Sequence, residues 1–289
     1  MQPRLFLILC LLFNSPAFAQ DASPIVIDSS GKELTLKKWK IVAGTRKLPW
    51  VEGKPEVFEI RELGSTSFKD GILTLVSLSR IQEVAWDYEK ETMTVRVAGL
   101  EKPLIGTTKY KDINVLTIEA EVDQGKSGVA DLRFRGGPIK GGIRGIKFPN
   151  AKAPERMREP GSVFAFTVPP VAKSKAGPAV YQASGIQALY RTSSTEEKPL
   201  SYLMFKKTLK VELANISQLT VGTYNAKDHT AECELKQKDG MDLSVTLLTA
   251  FPIDGKPATL LGFLGVVPAG YRLFPIYTIS QFNPAVEKK

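Results

Sequence analysis

The sequence predicts an all-β chain made of two similar small antiparallel β-domains. Three observations carry that prediction. Apolar residues alternate with charged ones, Asp-Gly turns recur between the alternating runs, and the apolar pattern of residues 76–97 returns in residues 211–233.

Alternation is clearest in "KTLKVELANI", where Leu209, Val211 and Leu213 are separated by Lys210 and Glu212. "VAWDY" places Val84, Trp86 and Tyr88 on one face, and "TMTVRV" does the same with Met93, Val95 and Val97. Asp70-Gly71, Asp239-Gly240 and Asp254-Gly255 mark turns. Long helical stripes are lacking, and only residues 182–190 and 195–204 offer short helical candidates.

The repeat sets Val76, Leu78, Ile81, Val84 and Trp86 on Val211, Leu213, Ile216, Leu219 and Val221. One inserted residue then brings Tyr88 onto Tyr224, Thr94 onto Thr230 and Val97 onto Cys233. Downstream, Gly142 and Gly145 of "GGIRGIKF" meet Gly262 and Gly265 of "LGFLGVVP". These matches suggest an internal duplication.

The expected order along the chain is a signal peptide at 1–19, a first β-rich domain at 21–152, a linker at 153–178, a second β-rich domain at 179–282 and a polar tail at 283–289. Arg4, the apolar run at 5–13 and Ala17-Phe18-Ala19 make the signal peptide, with cleavage before Gln20. The run is about half the roughly 20 residues of a membrane span. Cys10 lies inside it without the small residues a lipid anchor needs, which leaves an exported chain that does not span a membrane once cleaved. The expected location is a periplasm, a cell surface or the medium. Only Cys233 then survives, so no intramolecular disulfide is available. The linker is rich in Pro, Ala and Lys around the strand-like "SVFAFTV".

Familiar catalytic signatures are missing. "GKSG" at 125–128 resembles part of a phosphate loop, but Ala120 stands where the motif needs its first glycine, and "VADLRFR" after it reads as a strand. His229 is the only histidine, so a His-rich metal site is not expected. On a strand, His229 and Cys233 would stand roughly 13 Å apart, too far for a nucleophile–base pair. Glu119 and Glu121 share one strand face and are the candidate carboxylate pair for an unrecognised hydrolase. No G-x-S-x-G elbow or calcium loop occurs. The chain is therefore read as non-catalytic, with no cofactor.

"RFRGGPIKGGIRGIKFP" from Arg133 to Pro149 interleaves Arg, Gly and Phe like an RNA-binding tail. Ile139, Ile143, Ile146 and Phe148 instead suit two strands and a turn at Gly136-Gly137-Pro138, so no nucleic-acid partner is expected.

The charge balance is the most positive clue. The chain has 39 Lys and Arg against 30 Asp and Glu, a formal +9. The candidate binding residues are Lys37, Lys38, Trp39, Lys40, Arg46, Lys47 and Trp50, where cations sit among two tryptophans. The function expected is a structural or protein-binding role in the cell envelope. An acidic polysaccharide or other polyanion held by residues 37–50 is the alternative. The expected partners are accordingly another envelope protein or an anionic envelope polymer.

Overall fold

A computed structural model describes residues 23–62, 71–109, 113–123, 127–137, 142–154, 162–170, 177–193 and 196–284. The signal peptide, residues 285–289 of the tail, parts of the linker and residues 138–141, which include Pro138 of the expected turn, lie outside the described residues. The structure is nearly all β, as the alternation predicts, with several antiparallel sheets and no α-helix among the described residues. No described helix is long and apolar enough to cross a membrane.

One sheet of eight strands runs in the order β10 (Val129–Arg135), β9 (Thr117–Asp123), β2 (Glu33–Ala43), β1 (Ile25–Ile27), β11 (Gly145–Lys147), β6 (Ile81–Asp87), β7 (Thr92–Val97) and β8 (Leu104–Thr107). A larger sheet begins with β19 (Asp242–Leu248), β18 (Thr230–Gln237), β17 (Ile216–Asn225), β23 (Gln281–Pro284), β12 (Val163–Val168) and β13 (Ala179–Arg191). It continues through β21 (Lys256–Val267), β22 (Gly270–Pro275), β5 (Leu73–Ser77), β4 (Glu56–Arg61) and β3 (Thr45–Lys47). Two further strands branch from it, β14 (Glu197–Leu200) on β13 and β20 (Ala250–Ile253) on β21. Strands β15 (Tyr202–Met204) and β16 (Lys210–Glu212) form a separate ribbon.

The larger sheet therefore joins distant parts of the sequence. Strand β5 pairs with β22 through Leu75↔Tyr271 and Leu73↔Leu273. The strand-like "SVFAFTV" within the expected linker is β12, an interior strand between β23 and β13. Its Phe166 stacks on Phe274 at 4.1 Å and 8° and is fully buried.

The middle of this sheet is apolar on both faces. Phe58, Ile60, Val76, Phe263 and Phe274 belong to the main core, while their neighbours Val57, Leu75, Leu264 and Leu273 form a second cluster. Alternation sends successive side chains to opposite faces, so these strands bury both sets. Residues 48–51 lie over the second cluster, with Leu48 fully buried and Trp50 and Val51 packed against it.

The repeated apolar pattern marks a strand–turn–strand step. Leu78–Arg80 and Leu213–Asn215 are both single 3₁₀ turns, and the N–H of Ile81 and of Ile216 donates back to the carbonyl of Leu78 and of Leu213. A third such turn, Ile276–Thr278, carries the same spacing in "FPIYTISQF". The hairpins that follow the first two turns lie in different sheets, β6–β7 in the smaller and β17–β18 in the larger. Pairing also sets Cys233 opposite Val221 and Met93 opposite Trp86. Since Trp86 corresponds to Val221, the structural counterpart of Cys233 is Met93, four residues before the expected Val97. A recurring local turn is thus established, and a duplicated domain is not.

The short helical candidates are strands. Residues 182–190 lie inside β13, and residues 197–200 and 202–204 are β14 and β15. In β13 a register shift between Ser184 and Gln187 surrounds Gly185, whose φ is +59°. The extra residue shifts the phase of alternation, and that break imitates helical spacing in the sequence.

Two polar side chains tie the sheets together. Asn114, nearly buried at φ +56°, accepts the Arg61 N–H at 2.8 Å. Its amide donates to the carbonyls of Arg61 (3.1 Å) and Thr107 (2.6 Å), so it links β4 of one sheet to β8 of the other. The Arg80 guanidinium donates at 3.0 Å to the carbonyls of Pro268, Ala269 and Ala98.

Candidate functional site

The seven predicted binding residues fall in two places. Lys37, Lys38, Trp39 and Lys40 belong to β2, whose pairing with β9 shifts register between Lys37 and Lys40. Lys38 sits at the shift with φ +42°. The additional residue resets the alternation, so Lys37 and Lys38 both face outward and Trp39 turns inward. Trp39 is half-buried against the core, with its ring 5.9 Å from that of Phe148.

The outward lysines meet the outward acids of β9. Lys37 reaches Asp123 at 3.4 Å, Lys38 reaches Glu121 at 2.8 Å and Lys40 reaches Glu119 at 3.0 Å. Arg133 of β10 approaches Glu119 from the other side at 3.8 Å. Hydrogen bonding to Glu121, together with its charge, raises the pKa of Lys38. The result is a three-strand ladder in which the acids of β9 separate the cations of β2 from those of β10.

The other three residues lie at the far edge of the larger sheet and the turn after it. Arg46 of β3 bridges Glu59 of β4 and Glu197 of β14, the latter at 2.8 Å. Glu197, only 9% exposed at its side chain, also accepts Arg191 at 3.2 Å. Lys47 is exposed. Trp50 stands edge-on to Tyr271 at 5.7 Å and 80°, and its buried indole N–H finds no acceptor among the described residues. Trp39 and Trp50 thus belong to different apolar clusters and do not form one aromatic platform.

The remaining candidate chemistry is also placed. Glu119 and Glu121 share the outer face of β9, and each is held by cations from neighbouring strands. Cys233 is buried in β18, and burial pushes its thiol up to about 12. His229 is exposed at φ +50° in the turn before that strand. No cluster of three His, Cys, Asp or Glu side chains able to hold a metal occurs among the described residues. Val129–Arg135 is a strand, as expected for "VADLRFR", although the "GKSG" motif before it lies partly outside the described residues.

The sequence does not reveal that β10 is an edge strand. Among the described residues β10 ends the smaller sheet, pairing with β9 alone, and it carries Val129, 59% exposed. Its outward residues alternate with half-buried Leu132 and Phe134. The Gly136 N–H donates to the Leu116 carbonyl in the same register. In an antiparallel ladder this directs the N–H and C=O of even-numbered residues toward β9 and those of odd-numbered residues away from it. The Arg135 carbonyl confirms the parity, since it accepts the Ile143 N–H from the far side. The outward sequence signal was the reversal of charge between "KKWK", "EAEVD" and "DLRFR".

Comparison with family models, with curated proteins and with solved structures finds no match to this chain.

Proposed function

We propose that this is an exported, non-catalytic envelope protein with a structural or protein-binding role, and that the outer edge of β10 is its contact surface. The carrying observation is the open edge itself. Asp131 and Arg133 direct backbone N–H and C=O away from β9, beside an exposed Val129, and no further strand follows β10 among the described residues. An unpaired edge of this kind is a template for strand addition, in which backbone hydrogen bonds supply affinity and alternate side chains supply selectivity.

The polyanion alternative has less support. Lys37, Lys38 and Lys40 are each matched by an acid, which weakens the field they present. The two tryptophans that would stack on a ligand are also turned into separate apolar clusters.

Photo-cross-linking in the expressing cell tests the proposal. A photoreactive residue at Val129 is expected to give a discrete protein adduct, while one at the exposed turn residue Lys238 gives none. The mass of the recovered chain is expected to begin at Gln20. A chain that keeps its first 19 residues, or equal labelling from both positions, would defeat this reading.

A further inference from the structure

Resting on the reading of β10 as a contact edge, we infer that its partner is a second copy of the same strand. The copies would pair antiparallel about a two-fold axis at Leu132.

The strand is complementary to itself in that arrangement. Leu132 meets Leu132 of the second copy, Asp131 meets its Arg133, and Arg133 meets its Asp131. Opposite charges directly across an antiparallel pair stabilise it, and like charges oppose it. Moving the axis by one residue in either direction sets Asp131 against Asp131 or Arg133 against Arg133. Charge therefore selects the axis at Leu132.

Backbone parity agrees with this choice. Odd-numbered residues of β10 direct their N–H and C=O to the open side. An axis at Leu132 pairs odd residues with odd residues, so the two Asp131–Arg133 pairs are hydrogen-bonded pairs and supply about four N–H···O bonds. The half-buried Leu132 side chains extend the apolar face across the axis. The Arg135 carbonyl is already taken by Ile143, which closes that end and centres the contact on residues 131–133. Within its own chain, Arg133 reaches Glu119 through Nε at 3.8 Å, and its side chain is 67% exposed, so its terminal guanidinium donors can turn to a carboxylate across the axis.

Sedimentation of the purified chain at about 100 µM tests the inference, because a contact this short is expected to be weak. The wild-type chain is expected to show about twice its monomer mass in a concentration-dependent manner. Asp131→Arg places arginines across both pairs, and Arg133→Asp places aspartates there, so each variant alone is expected to be monomeric. Mixed together, the two variants are complementary and are expected to regain the doubled mass. That rescue also shows that neither variant has simply unfolded.

A monomeric wild-type chain, a dimer indifferent to both variants, or a mixture that stays monomeric would each overturn the inference. A monomer whose Val129 position still cross-links to a different envelope protein overturns the self-pairing and leaves the proposed function standing. A monomer with no adduct at Val129 overturns both.

Discussion

The β2–β9–β10 ribbon and the β4–β5–β22–β21 centre of the larger sheet are built from the same antiparallel pairing, yet they bury different things. In the ribbon, Ile118, Ala120 and Val122 face the core, while Glu119, Glu121 and Asp123 meet lysines in solvent. In the centre, neighbouring residues such as Leu75 and Val76 are both fully buried, one on each face. Polar contacts there are scarce and well enclosed. Arg272 donates to Glu62 at 2.9 Å and to the Thr74 hydroxyl at 3.0 Å, with the two charged side chains only 15% and 21% exposed. The contrast teaches that one-sided burial leaves charges to organise a face, whereas two-sided burial leaves packing to do it.

Three substitutions sharpen that contrast, beginning with the largest effect. Leu75→Ala empties a fully buried position on the second face and is expected to cost about 2–5 kcal/mol in denaturant unfolding. A loss below about 1 kcal/mol would mean that residues 48–51 do not seal that cluster. Arg272→Ala leaves Glu62 half-enclosed without its cation and is expected to cost about 1–3 kcal/mol. The loss should shrink when Glu62 is replaced by Gln in the same chain, a double-mutant measurement that isolates the pair.

Smallest of all, replacing Lys37, Lys38 and Lys40 together by Ala is expected to lower Tm by about 2 °C or less, because exposed ion pairs contribute little. Binding to an acidic polysaccharide at low salt is expected to be no weaker for this triple variant than for the wild-type chain. A steep, salt-dependent loss would return the polyanion reading to first place.

The fold class was legible because alternation is a local signal. "TMTVRV" reads correctly as a strand without knowledge of its neighbours, whereas "KTLKVELANI" holds only the short β16, with 3₁₀ turns at Lys206–Thr208 and Leu213–Asn215 on either side of it. Register was not legible, because it depends on which distant strand lies alongside. Nothing within "LTLKKWK" announces that Glu119 and Glu121 will stand opposite its lysines. Local irregularity misled in two directions. The bulge around Gly185 gave β13 a false helical spacing, and the bulge at Lys38 turned Trp39 away from the cations it seemed to accompany. The 3₁₀ turn at "FPIYTISQF" was readable from the same spacing as those at Leu78–Arg80 and Leu213–Asn215.

The pairing of β5 with β22 governs how this chain can reach its native state. The Arg272–Thr74 contact spans 198 residues, and β22 and β23 lie close to the C-terminal end of the described chain. Strands β4 and β5 thus receive their neighbour β22 from a part of the chain almost 200 residues away. Closing so large a loop before any reward is collected slows the search. In the native state Leu73 and Leu75 are covered only when β5 has β22 alongside it, so burial of this second cluster depends on one of the most distant pairings in the fold.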